Sequence, residues 1–255
     1  MIGVGQAGST PSRTTSRATE RDAWIALAAV PGIGPAGFAR LVRHFGSAAA
    51  ALAAGPAEVA AVERLAAESA AAMREIGAAG ARSVAAGLQA ATRTAGGRLV
   101  TDLDESYPPA LRTLDPRPPV LAVVGDAAAF ERRAVAVVGT RRATGYGMAT
   151  ATDIADELAR DGVVVVSGLA LGIDGAAHRA ALAAGGRTVA VLPSPIDRIY
   201  PPRHRALASE IARAGGALLT EVPVGAVIGR PDFARRNRVI AGLAEAVVVV
   251  EAPDR

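Results

Sequence analysis

From residue 133 onward, short apolar runs rich in β-branched residues alternate with stretches of helical spacing. The runs are AVAVVG (134–139), GVVVVSG (162–168), RTVAVLP (187–193), ALLTEVP (217–223) and AVVVVEA (246–252). Between them, apolar positions three and four apart predict helices near 147–160, 175–184, 203–214 and 233–243. Strands that are nearly continuous in apolar residues, joined by helical crossovers, predict an α/β unit with a parallel sheet covered on both faces. In such sheets ligands sit at the carboxyl ends of the strands, so the residues just after each run are the place to look for function.

Ahead of this unit the texture differs. Residues 1–20 are rich in Ser, Thr, Gly and Arg and are expected to form a disordered tail. Residues 21–92 are Ala-rich with helical spacing, and DAWIALAAVPGIGPAGFARLVRHFGS reads as helix, tight turn, helix. Trp24, Leu27 and Ala28 make one apolar face, and Phe38, Leu41, Val42 and Phe45 another. Residues 96–126 form a Pro-rich connector with two short strands, leading into an α/β domain assigned to 93–255.

Composition narrows the chemistry. The chain has 255 residues and no cysteine, which excludes a disulfide framework, a thiolate metal site and a cysteine nucleophile. The 3 histidines are too scattered to argue for zinc, and no metal or cofactor is expected. No apolar run is long enough to span a membrane, and the N-terminus lacks a signal-peptide core, so a cytoplasmic protein is expected. All 28 basic residues are arginine, shared evenly between the two halves, and the net charge is only +4. Only local clustering of charge can therefore carry an argument about partners.

The clustering is at the strand ends. GTRRATGYG follows the first run, with Gly139 and Thr140 in the turn, Arg141 and Arg142 beside them, and Gly145 and Gly147 at the next helix start. Backbone N–H groups there suit a phosphate; an ordinary strand–helix turn with surface arginines is the alternative. Ser167 and Gly168 stand where an NAD site would want an acid, which counts against NAD. Asp174 looks like a helix N-cap with His178 four residues on; capping and packing are favoured over a catalytic pair. The fourth run leads to GRPDFARRNRVIAG, where Asp232 looks like the N-cap of a helix carrying Arg235, Arg236, Asn237 and Arg238 in its first turns. Arg236 heads the core-facing stripe, while Arg235 and Arg238 share a neighbouring face. Three positive charges near the positive end of a helix dipole demand a nearby anion. Arginine forks match phosphate bidentately, so arginines on several loops suit a chain of phosphates.

Taken in order, VAVVGTRRATGYG, VVSGLALGIDGAAHRAAL, GRTVAVL, DRIYPPRHRAL, LLTEVPVG and DFARRNRVIAGLAEAVVVVEA, with the connector YPPALRTLDPRPPVLAVVGD, resemble the DprA (Smf) family of DNA-processing proteins of bacterial transformation. The resemblance spans roughly residues 21–252. It implies an extended Rossmann-like fold behind an N-terminal helical domain of the SAM-like or helix-hairpin-helix type. It also implies single-stranded DNA as ligand, a homodimer, and delivery of the strand to the RecA recombinase, with no catalytic role. Carried over, Gly139, Thr140, Arg141, Arg142, Arg235, Arg236 and Arg238 would contact the strand, Asn237 would either contact it or fix the loop, and Ser167, Gly168 and Asp174 would shape the pocket. PGIG (31–34) offers backbone N–H groups to a phosphate or simply makes the turn.

The chain departs from the family pattern in LPSPID, where Pro193 and Pro195 remove backbone donors from a turn that is usually glycine-rich. It also stops at EAPDR, where the pattern normally continues, so a truncated chain and a reduced dimer interface are expected. The competing function is a nucleotide-binding Rossmann-like enzyme that hydrolyses nucleoside monophosphates, with Glu221 as the best acid and His178 a poor second. That chemistry wants a glycine-rich phosphate loop with an acid beside it, and no run here is followed by one. Aromatic residues are 3% of the chain, so base stacking would rest on Tyr146, Tyr200 and Phe233 or on arginine planes.

Overall fold

The computed structural model describes residues 13–252. Contacts divide the chain into two compact units, Met1–Ala86 and Gly87–Arg255. Of the expected tail, residues 1–12 lie outside the described residues, whereas 13–20 belong to the first helix, α1 (Arg13–Ala28). Glu20 is held there because its carboxylate accepts the N–H groups of Ala48 (2.7 Å) and Ala49 (3.1 Å). These are the unpaired donors of α3 (Ala48–Ala53), which stabilise a carboxylate by charge and hydrogen bonding.

In the first unit α1, α2 (Pro35–Phe45), α3, α4 (Pro56–Ala60) and the start of α5 (Ala67–Thr94) close around Leu27, Phe38, Leu41, Val59 and Met73. Trp24 tilts against Phe38 with ring centroids 4.8 Å apart. The PGIG turn is packed: Ser69 on α5 donates to the Pro31 carbonyl at 2.7 Å, and a Cβ on Gly32 would lie 2.5 Å from the Ser69 oxygen.

The second unit is built on one sheet of β1 (Arg98–Thr101), β2 (Val120–Gly125), β3 (Ala134–Val138), β4 (Val164–Ser167), β5 (Thr188–Val191), β6 (Ala217–Thr220) and β7 (Ala246–Val249). The order across the sheet is β1-β2-β6-β5-β4-β3-β7. All five runs read from the pattern are mutually parallel, as expected. The two connector strands extend the sheet antiparallel on the β6 edge, making it mixed. Helices α6 (Gly145–Arg160), α7 (Ile173–Ala183) and α8 (Arg205–Arg213) cover one face, meeting Val137, Val165, Ala190 and Leu218. Helix α9 (Arg230–Leu243) and the connector cover the other, meeting Ala136, Val166, Val191 and Leu219 with Tyr107, Leu111, Val239 and Ile240. Alternating strand residues feed opposite faces, so strands buried on both sides need the unbroken apolar runs seen in the sequence. β7 departs from that expectation: it is an edge strand with Val247 and Val249 exposed.

Because the chain leaves β3 toward β4 on one side and returns as β7 on the other, the order reverses at β3. Crevices open at the carboxyl ends of strands where that happens.

Candidate nucleic-acid interface

The loop from β3 to α6 carries the first candidates. Two of its backbone donors, those of Thr140 and Thr144, are not open to a phosphate as the glycine pattern suggested, because Glu251 at the end of β7 has taken them. The Glu251 carboxylate accepts from the Thr144 N–H at 3.1 Å and from its hydroxyl at 2.8 Å, and the Glu251 carbonyl accepts from Thr140 N at 2.8 Å. Thr144 in turn caps α6 by accepting from Gly147 N at 3.0 Å. Gly147 is glycine because a Cβ would collide with the Glu251 carboxylate, and Gly139 because a Cβ would lie 2.6 Å from Ile173. These glycines make room for the protein's own groups. The side chains of the loop point outward: Arg141 and Arg142 are exposed and have no ion pair among the described residues. The Arg141 guanidinium lies over the Phe233 ring at 5.0 Å, and Phe233 meets Tyr200 edge-on at 5.6 Å. Tyr146 is 83% exposed.

The loop from β4 to α7 is buried at Gly168 and Leu169 and comes to the surface at Leu171. Asp174 is not the N-cap of α7; Gly172 is, and Asp174 sits in the first turn with its carboxylate turned back into the loop. It accepts from Gly168 N at 3.1 Å and Ala170 N at 3.2 Å, around Leu169, whose φ of +60° aims both donors inward. Ser167 donates to the Val137 carbonyl at 2.7 Å, tying β4 to β3. Arg236 closes the other side: its Nη1 donates to the Gly168 carbonyl and, at 2.6 Å, to the Val191 carbonyl. Burial lowers the Arg236 pKa to about 10, with Asp174 opposing that shift; burial raises the Asp174 pKa, with Arg236 opposing it. Two buried charges thus hold each other, each with hydrogen bonds to main chain, as buried ions require.

His178 is wholly buried, and burial pushes its pKa down to about 3. The Thr188 hydroxyl gives its proton to the Val165 carbonyl (2.6 Å), so it accepts from His178 Nδ1 at 2.7 Å. The histidine is a neutral packing residue, which removes it as an acid or base for a solvent-borne substrate. The LPSPID loop is also buried from Leu192 to Ile196, with Asp197 alone exposed.

Helix α9 shows what neutralises its arginines. Its N-cap is Gly229, and Asp232 stands one turn in, accepting from Gly229 N at 2.7 Å. Pro231 at the start explains the offset, since a proline is best placed in the first helical positions. Asp232 pairs with Arg235 at 3.3 Å, Asp174 faces Arg236, and Glu221 pairs with Arg238, which also donates to the Pro116 carbonyl. Asn237 is exposed and accepts from Arg236 Nε at 3.2 Å. The three charges are therefore met by three of the chain's own carboxylates. Arg235 remains the most open of them, with 44% of its side chain exposed against 23% for Arg238.

The structure thus sorts the candidates. Ser167, Gly168, Asp174 and Arg236 form the buried frame, the half-buried Gly139 packs against it at Ile173, and Thr140 ties it to β7. Arg141, Arg142, Arg235 and Asn237 face solvent, Arg141 over the Phe233 ring, and Arg238 is half-buried. Sequence reasoning missed Glu251; the signal available was an acid at the end of the strand that neighbours β3. Among the described residues, no group of three or more His, Asp or Glu is placed to hold a metal, and no helix is long and apolar enough to cross a membrane.

The family described as DNA recombination-mediator protein A matches residues 98–255, and the DprA-like N-terminal HHH domain matches 18–78. The putative DNA processing protein DprA of Mycobacterium tuberculosis is 48% identical over 170 residues, 62% of this chain and 43% of that protein. Protein Smf of Synechocystis is 43% identical over 162 residues, 62% of this chain and 40% of its own length. The chain thus spans less than half of these relatives. The solved structure of DNA processing protein A from Streptococcus pneumoniae superposes with a TM-score of 0.65 at 27% identity, covering 92% of this chain and 79% of that one. That of Helicobacter pylori, described for its single-stranded DNA binding mode, gives 0.56 at 33% identity over 62% of this chain and 71% of that one. With both segments matched and a solved relative superposing over 92% of the chain, the chain belongs to the DNA recombination-mediator protein A family.

Proposed function

We propose that the chain binds single-stranded DNA across the carboxyl ends of β3 and β6, with Arg141, Arg142 and Arg235 on phosphates and Phe233, Tyr200 and Tyr146 offering faces to bases. The observation that carries this reading is the exposed Arg141 guanidinium stacked on Phe233, itself against Tyr200. Cationic groups interleaved with aromatic faces give affinity without sequence readout. The single-stranded DNA binding described for the Helicobacter pylori relative supports it. On this reading the protein is a binding module rather than an enzyme. It shields an incoming strand in the cytoplasm and, as a homodimer, delivers it to RecA.

Gly139, Thr140, Ser167, Gly168, Asp174 and Arg236 act by holding the loops in register, and Asn237 and Arg238 lie within reach of the strand. Anisotropy titrations of a labelled oligonucleotide and its duplex test the reading. The single strand is expected to bind more tightly, and Arg141→Ala to weaken it by about tenfold, the scale of one charge-assisted contact. Unchanged affinity in both Arg141→Ala and Phe233→Ala would overturn the assignment.

A further inference from the structure

A small open pocket lies beside the arginines, between the ends of β5 and β6 and the first turns of α9. Glu221, Asp232, Arg235 and Arg236 line it with the apolar side chains of Val191 and Val239. Glu221 is unlike the other carboxylates of the site. Asp174 and Asp232 spread their charge over backbone N–H groups, whereas Glu221 has only Arg238, on Oε1. Its Oε2 is buried and has no hydrogen-bond partner among the described residues. Only 10% of the side chain is exposed.

We infer that Glu221 couples strand binding to proton uptake: a phosphate arriving at Arg235, on the same face of α9 as Arg238, competes for the charge that keeps Glu221 ionised, and Glu221 accepts a proton from water. This rests on the strand-binding reading above. The charged and titratable groups facing Glu221 are Arg238, Arg235 and Asp232 on α9 and Tyr107 on the connector. Burial raises the carboxyl to about 7, with Arg238 and Arg235 opposing the rise. An anion that draws off either arginine removes part of that opposition and adds a like charge, and both effects move the group further up. Once protonated, the carboxyl gains an O–H donor where a bare oxygen had repelled the phosphate, and nothing but the proton is exchanged.

Linkage fixes what is measured. If binding raises the Glu221 pKa by one unit, affinity tightens about fivefold from pH 8 to pH 6, and never more than about tenfold per pH unit. The experiment titrates the full chain with an oligothymidine at constant ionic strength from pH 6 to pH 8. Calorimetry at pH 7.5, in two buffers of different ionisation heat, counts the protons taken up. The expected results are tighter binding at pH 6, uptake of a fraction of one proton, and, in Glu221→Gln, stronger binding at pH 8 with the pH dependence lost.

Binding that persists but is flat across this range, with no proton uptake, overturns the inference alone. A pH dependence that survives in Glu221→Gln assigns the proton to another group and overturns it too. Absence of binding at every pH overturns the strand-binding reading and this inference with it. Should Glu221→Gln fail to fold, the proton count on the unaltered chain still decides.

Discussion

Arg236 and Arg141 are both arginines at strand ends, and their surroundings give them opposite tasks. Arg236 is 7% exposed, and its guanidinium satisfies two main-chain carbonyls while facing Asp174. Replacing it by alanine removes the charge that opposes Asp174 and leaves the Gly168 and Val191 carbonyls without their donor, a loss of about 2–4 kcal/mol that urea unfolding would register. Arg141→Ala removes no buried partner, so stability should change by less than about 0.5 kcal/mol while strand affinity falls. A variant pair behaving the other way round would reverse the assignment of frame and surface. His178 adds a pH signature. Its pKa falls from 6.5 to about 3 on folding, so the unfolded chain binds the extra proton between those values. Stability is therefore fully present above about pH 6.5 and is lost as the pH falls toward 3, by a few kcal/mol at most. In His178→Gln that acid limb should flatten in melts recorded from pH 7 to pH 4.

At the scale of elements, the site is a set of loops in which the protein's own carboxylates already occupy several of the backbone donors. Glu251 fills the turn after β3, Asp174 the turn after β4, and Asp232 the start of α9. Pre-filled loops are rigid, and a rigid frame sets side chains such as Arg141 and Phe233 at fixed separations before any ligand arrives. Gly172 joins two of these loops: its φ is +76°, and a Cβ would strike the Thr140 carbonyl. Since backbone cannot yield as a side-chain tip can, Gly172→Ala should cost more than about 2 kcal/mol and lower strand affinity by displacing the β3 loop. Thermal melts and titrations of the same preparation would check both. The elements themselves were legible in the sequence because their periods are local: the five parallel strands and four following helices fall where the apolar spacing puts them. The caps were not. Asp232 and Asp174 were each placed at an N-cap, because a carboxylate near a helix start can serve from the cap or from the first turn, and only the loop's path decides.

For the whole molecule, the small net charge of +4 means that any polyanion must be met by a local cluster. With Arg141, Arg142 and Arg235 as the phosphate contacts, each neutralised phosphate contributes about −0.7 to the slope of log affinity against log salt for a single strand, so a slope near −2 is expected. Arg141→Ala should reduce it to about −1.4. A slope several times steeper would mean that further arginines, such as the exposed Arg203 just ahead of α8 and Arg205 at its start, take part.

The sequence alone determined the α/β layout, the parallel sense of the five apolar strands, the helical unit ahead of them and the family. All of these follow from local periodicity and from motifs read in series. It also determined that arginine gathers after the strands. Tertiary structure decided which arginines are available, because that depends on which acids lie opposite. Glu221 is 17 positions from Arg238, and Asp174 is more than sixty from Arg236. Glu251 reaches the Thr144 loop from 107 positions away, through the pairing of β7 with β3. Such pairings are set by sheet order and not by spacing along the chain. A run of basic residues therefore reads the same in sequence whether it faces a strand of DNA or the protein's own carboxylates.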